Sequence, residues 1–285
     1  MFLLNLSYNK AITKGRIKMI IDTHVHIFPD QLCPQTIQKM AVIDPEHVLP
    51  YYSDGSLADS IKHMKDWGVD LGVMVPIATN AKQQHAVNQF AAKVQATTPY
   101  FKSFGSFYPK AGDYEAVLDE VVDLGLHGIK LHPEYQHFMP DDPALFPMYE
   151  AIARRKLPII IHTGYDPASP QFIRATPQRM RTVAEQNKEL TIILAHTGGL
   201  FFEEDDNIYL GLENVYFDTA IASYCYTPEK YRTLIDLYGA DKFLFATDNP
   251  WGNALKDQAF FKDVGLTDEE WEKISHKNAQ KLFDF

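Results

Sequence analysis

Cysteine is nearly missing from this chain: two residues in 285, Cys33 and Cys225, too few and too far apart for a disulfide framework. A reducing, cytoplasmic setting is the expectation. No run approaches the roughly 18 consecutive apolar residues of a membrane span, so the chain reads as soluble, with no membrane partner. Basic clusters are lacking too. With 37 acidic against 27 basic residues the formal charge is −10, and no run of lysine and arginine offers a grip on a phosphate backbone, which argues against nucleic acid as a partner. A Gly-rich phosphate turn is also missing, because the first apolar run, MIIDTHVHI, continues into FPDQL.

What the chain has is apolar residues, 46% of the total, in short runs. Eight of them, MIIDTHVHI, VDLGVMVP, FKSFGSF, LHGIKLH, LPIIIHTG, LTIILAHTG, NVYFDTA and KFLFATD, begin at residues 19, 69, 101, 126, 157, 190, 214 and 242. Helix-like patterns lie between them, at 56–67, 81–95, 113–124, 144–155 and 227–238, and TDEEWEKISHKNAQKLF supplies a last helix with a Thr267/Glu270 capping box. Strands alternating with helices predict parallel pairing through right-handed crossovers. Eight units match an α/β fold of the (β/α)₈ TIM-barrel type, with a doubly wound open sheet as runner-up. We read residues 1–285 as a single barrel domain, with 1–18 a terminal tail and Met1 or Met19 the start. Residues 28–68 form an insertion after strand one, long enough to fold in part as a lid.

The polar residues sit where the runs end. His24 and His26, two apart, share one face of strand one. His162 ends strand five, His196 strand six and Asp248 strand eight. In a barrel those ends meet on the rim that carries the active site, and imidazoles with a carboxylate are a metal-site composition suited to zinc. Taken singly, a histidine at a strand end is more often a hydrogen-bonded residue of the interior. It is the placement of all of them at one end that favours a metal centre. Lys130 and His132 share a face of strand four: His132 can reach substrate or metal, and Lys130, one layer deeper, needs a partner if buried.

The ordered set DTHVHIFP, GIKLHPEY, IIIHTG, ILAHTGG and FATDNPWG resembles the amidohydrolase superfamily, in particular its amidohydrolase-related branch, which includes aminocarboxymuconate-semialdehyde decarboxylase, resorcylate decarboxylases and lactone hydrolases. The resemblance runs from residue 19 to about 284. It implies a barrel in which His24, His26, His162 and Asp248 hold one divalent metal, usually zinc, with His196 near the reacting water. It also implies a second metal if Lys130 is carboxylated. TatD nucleases, a related group, carry an acidic ligand on strand four where this chain reads Lys-Leu-His.

On this reading the protein is a metal-dependent hydrolase of a small ester, lactone or amide, with Asp248 moving the proton and His196 polarising the substrate oxygen. The alternatives are a decarboxylase or other lyase of a small carboxylic acid, with Arg174 or Arg179 holding the carboxylate, and a non-catalytic metal-binding barrel. Tyr165, Tyr224 and Trp251 are candidates for an apolar pocket wall. The partner is a small molecule, and a homodimer is left open.

Overall fold

A computed structural model describes residues 19–44, 47–48, 50–167, 169–202 and 205–285. The proposed tail, 1–18, and the choice of starting methionine lie outside these. Eight parallel strands follow in chain order: β1 Ile21–Val25, β2 Leu71–Met74, β3 Phe101–Ser103, β4 Ile129–Leu131, β5 Ile159–Ile161, β6 Ile192–Leu194, β7 Val215–Asp218 and β8 Phe243–Leu244. All eight fall inside the eight apolar runs. Strands β1 to β3 pair in order, as do β4 to β8. Backbone bonds join the two sheets at both seams. Gly105 N–H donates to Gly128 O and Lys130 N–H to Gly105 O, both at 2.8 Å, while Asp248 N–H donates to His24 O at 3.0 Å and His26 N–H to Asn249 O at 2.7 Å. The fold is a (β/α)₈ TIM barrel with an insertion after β1.

Strand side chains divide by parity. Ile21, Val73, Ile160, Ile193 and Leu244 belong to an inner cluster that the C-terminal helix residue Phe283 joins. Ile20, Met74, Ile159, Ile161, Ile192 and Leu194 belong to the larger layer packed beneath the outer helices. Strand β1 breaks this alternation with a bulge between Asp22 and Val25. An extra residue in one strand reverses the parity beyond it. Ile21 therefore faces inward, and His24, an odd three residues later, turns inward as well.

The helices form where their patterns place them. Leu57–Trp67 is capped by Ser56, whose hydroxyl accepts from Asp59 N–H at 3.2 Å. Gln84–Thr97, Tyr114–Asp123, Phe146–Arg154 and Pro228–Tyr238 follow, each within about three residues of its predicted bounds. The Thr267/Glu270 capping box is present. Pro177–Gln186 and Ala254–Val264 complete the crossovers that the sequence patterns did not delimit. The β1 insertion holds a helix, Gln35–Ala41, and a two-strand hairpin, Val42–Asp44 with His47–Val48. It is tied to the rim where Tyr52 N–H donates to Pro250 O at 2.8 Å. Among the described residues, no helix is long and apolar enough to cross a membrane.

Helix Ala254–Val264 buries an acid. Asp257 is 1% exposed, accepts from Ser223 Oγ at 2.5 Å, and has no partner for Oδ2 among the described residues. Burial pushes its carboxyl up to about 8. A carboxyl raised on folding contributes stability that is fully present below its unfolded pKa, about 3.9, and is lost as pH rises through the folded value. One unit is worth about 1.4 kcal/mol, so the wild type should lose a few kcal/mol between pH 5 and 9. Asp257→Asn should flatten that slope in urea melts. Identical slopes for the two proteins would refute the assignment.

Candidate metal centre

The mouth of the barrel gathers the strand-end residues into two adjoining groups. In the first, His26 Nε2 lies 3.1 Å and His24 Nε2 3.4 Å from Asp248 Oδ1. In the second are His132, His162 and Asp166, all buried, with His132 Nε2 3.4 Å from Asp166 Oδ2 and the His132 and His162 rings stacked at 4.1 Å. Within each group one ligand atom per residue lies within 4.8 Å of the others. His162, expected beside His24, His26 and Asp248, groups instead with His132 and Asp166. His196 connects the two sets: its ring is 5.6 Å from that of His24, and its Nε2 is 3.1 Å from His162 Nδ1.

Hydrogen bonds on the far side of each ring decide which nitrogen faces the mouth. Asp218, the last residue of β7, accepts from His24 Nδ1 at 2.8 Å through Oδ2 and from His196 N–H at 2.8 Å through Oδ1. With its proton committed at Nδ1, His24 presents a lone pair at Nε2 beside the Asp248 oxygen, two acceptors that a cation satisfies. Lys130 Nζ, fully buried, reaches the same Nε2 at 3.0 Å. Burial pulls the Lys130 ammonium down to about 8, partly offset by Asp218, Asp248 and Asp166.

His162 and His196 pose a similar count. His196 Nδ1 faces Ala220 O at 3.3 Å and His162 Nε2 faces Tyr165 O at 3.2 Å, with the 3.1 Å approach between the rings. Three links need three protons, and two neutral imidazoles carry two. Burial holds His162 well below its ordinary value, so the rings leave one link unmade. If both outer carbonyls are served, two lone pairs face each other, again a donor set that suits a cation. His132 differs. Its Nδ1 accepts from Tyr135 N–H at 3.4 Å, which leaves the proton on Nε2, directed at Asp166. His132 is therefore suited to donate a hydrogen bond rather than to ligate.

Electrostatics and backbone both mark Asp248. Burial raises its carboxyl, but His24 and His26 outweigh burial and hold it below the ordinary carboxylate value. Asp248 has φ 66° and His196 φ 57°. Left-handed backbone at a non-glycine residue costs about 1–3 kcal/mol and concentrates at functional sites. The turn after Asp248 is tight: a Cβ at Gly252 would lie 1.8 Å from Thr247 O, so only glycine fits.

The two arginines are engaged elsewhere. Arg174 Nη1 donates to Glu134 Oε2 at 2.8 Å, and Glu134 Oε1 also accepts from Arg174 N–H at 2.6 Å. Arg179 donates to Ile173 O at 3.2 Å and to Arg174 O at 3.3 Å, with Asp141 3.4 Å from its Nε. Because Glu134 is 1% exposed, removing its cation leaves a buried charge with two backbone donors. Arg174→Met should therefore cost about 2–3 kcal/mol in chemical denaturation. A variant as stable as the wild type would free Arg174 for a substrate role. Tyr165 packs edge-on against Phe201 at 5.8 Å, and Trp251 is half-buried in the turn after Asp248. Tyr224 is exposed on the loop after β7.

Asp218, Asp166 and Glu134 are the residues that sequence reasoning passed over. Asp218 was visible by the same rule as the histidines, since NVYFDTA is an apolar run ending in a polar side chain.

Comparison with known proteins now bears on this geometry. The amidohydrolase family model matches residues 21–285. The chain belongs to the amidohydrolase family. No curated protein matches it in sequence. Among solved structures, an uncharacterized TIM-barrel protein from Bordetella bronchiseptica superposes with a TM-score of 0.77 at 20% identity, covering 93% of this chain and 98% of its own. The 5-carboxyvanillate decarboxylase of Sphingomonas paucimobilis gives 0.71 at 16% identity, covering 94% and 100%. A dihydroxybenzoic acid decarboxylase from Polaromonas sp. JS666, solved with bound manganese and the inhibitor 2-nitroresorcinol, gives 0.68 at 17%, covering 94% and 97%. At these identities the likeness is one of fold.

Proposed function

We propose that this member of the amidohydrolase family is a metal-dependent decarboxylase of a small organic acid, with a ring-bearing acid as the preferred class. The observation that carries the reading is the convergence of His24 Nε2, His26 Nε2 and Asp248 Oδ1 at the mouth, with 3.4 and 3.1 Å from the two imidazole nitrogens to the one carboxylate oxygen. Support for decarboxylation comes from solved relatives of the fold whose names specify 5-carboxyvanillate and dihydroxybenzoate. His24, His26 and Asp248 would hold one divalent cation, with His162 adjoining through His196. An imidazole-rich set suits zinc, and one solved relative carries manganese. A second cation would call on His162 and His196 before Lys130.

A bound divalent cation would supply Lewis acidity to the substrate. The chain's own groups do the rest. Asp248, ionised at neutral pH, accepts a proton from an incoming hydroxyl group. On this reading it returns that proton to the carbon whose bond to the carboxylate breaks, the bonding electron pair staying on that carbon as carbon dioxide leaves. His132 Nε2–H, directed at Asp166 in this structure, would turn to a substrate oxygen only by releasing that carboxylate. Tyr165 and Trp251, on the loops after β5 and β8, would supply apolar surface to a ring-bearing substrate.

Hydrolysis of an ester, lactone or amide is the second reading, favoured by the ionised Asp248 carboxylate as a base for water. Metal-loaded protein assayed on hydroxybenzoates for carbon dioxide release, and in parallel on ester and lactone panels, separates the two. An inert protein of verified metal content on both panels would remove this proposal in favour of a binding role, and turnover that survives complete removal of the metal would remove the metal from the reaction.

A further inference from the structure

An acid that enters this mouth must approach a protein of formal charge −10 and find a cation at the rim. Arg174 and Arg179 are already engaged. A different cation stands at the rim. Lys256 lies in the first turn of helix Ala254–Val264, eight residues beyond Asp248. A positive side chain is disfavoured at the positive end of a helix dipole, and Lys256 has no carboxylate partner among the described residues to compensate. The neighbouring Asp257 carboxylate turns inward to Ser223.

Lys256 is held by two phenols. Its Nζ donates to Tyr52 Oη at 2.7 Å and to Tyr224 Oη at 3.5 Å, and sits 5.1 and 5.3 Å from the two ring centroids. The phenol oxygens are 2.5 Å apart. Three separate elements converge here: Tyr52 from the β1 insertion, Tyr224 from the loop after β7, and Lys256 from the helix after β8. Pro250, two residues beyond Asp248, accepts from Tyr52 N–H and joins the group to the loop that carries the candidate metal ligand.

A donor count shows what the cluster lacks. Lysine has three N–H donors, and two are directed at phenol oxygens. Of the two phenol O–H groups, one is spent between the rings. One N–H and one O–H remain, offered from adjacent residues to the outside, and a carboxylate presents two acceptor oxygens to such a pair. Leu255, 52% exposed, precedes Lys256 on the same helix turn and adds exposed apolar surface there.

We propose that Lys256, Tyr52 and Tyr224 form an anion subsite at the barrel mouth that takes the carboxylate of a small organic acid. Assigning that carboxylate to the substrate rests on the function proposed above; the subsite itself does not.

Titration of the whole protein with benzoate, followed by amide chemical shifts, provides the test. The wild type should bind saturably and shift the resonances of residues 52, 224 and 256. Lys256→Met should weaken binding by about tenfold or more, the value of a charged hydrogen-bond donor, and the Tyr52→Phe/Tyr224→Phe double variant by a smaller factor. Lys256 and Tyr224 are exposed and Tyr52 is half-buried, and circular dichroism checks that each variant folds. Unchanged affinity in Lys256→Met, no saturable binding by the wild type, or equal competition by sulfate and by chloride at matched ionic strength would each overturn the subsite. Metal content and turnover are measured on the same samples. Weakened benzoate binding in a protein that decarboxylates nothing retains the subsite and sinks the function; turnover with unchanged benzoate affinity does the reverse.

Discussion

Asp248→Asn should lower metal-dependent turnover by about three orders of magnitude, the scale of a lost general acid–base group, while metal analysis still finds the cation bound. The amide keeps an oxygen where Oδ1 meets His24 and His26, so coordination survives in weakened form. What disappears is a carboxylate that can take up and release a proton. The same position has left-handed backbone, which asparagine tolerates about as well as aspartate, so the fold should not change. Thermal denaturation within about two degrees of the wild type would confirm that a chemical role, not a structural one, was removed. Turnover within tenfold of the wild type would eliminate Asp248 as the proton carrier. Loss of the metal would reduce its role to that of a ligand.

The second large effect lies one shell further out. Asp218→Asn retains an acceptor for His196 N–H but sets an amide N–H2 against His24 Nδ1, two donors where a donor and an acceptor had met. The imidazole can relieve this by moving its proton to Nε2, the nitrogen aimed at Asp248, and a protonated nitrogen cannot ligate. Metal affinity should fall by about 10–100-fold, the usual cost of losing an outer partner of a ligating histidine. Competition against a chromophoric chelator measures that loss, and long-range ¹⁵N–¹H correlation of the His24 ring reports the tautomer directly. Folding stability should drop by about 1–3 kcal/mol, since the site is fully buried. An unchanged tautomer with unchanged affinity would show that Asp218 orients nothing and serves only to join β7 to its neighbours.

Much of this architecture was legible in the chain. Near-continuous Ile, Val and Leu runs such as LPIIIHTG can only be strands buried on both faces, and their alternation with helical patterns leaves parallel pairing as the natural topology. The rim residues were legible for the same reason. Polar residues that close several apolar strands at the same end share the C-terminal mouth, and His24, His26, His132, His162, His196 and Asp248 are all found there. The helices after β5 and β8 were harder to bound: Ala254–Val264 carries the weakest apolar periodicity of the outer helices, and the mostly polar Pro177–Gln186 has only Pro177, Met180, Val183 and Ala184 to mark its buried face. Of the two arginines put forward as carboxylate anchors, Arg174 is engaged by Glu134, a pairing across about 40 residues that no local pattern announces.

The sequence by itself determined the fold class, the family and the set of side chains delivered to one end of the barrel, because period and strand-end position are local properties of the chain. Only the tertiary structure decided how those side chains divide into two groups. It also decided which imidazole nitrogen each one offers, and which cation at the rim is left without a carboxylate among the described residues. Those outcomes depend on a bulge that turns β1 by one residue, and on hydrogen bonds between residues as far apart as 24 and 218. Such distant pairings are fixed when the barrel closes, not when its strands form.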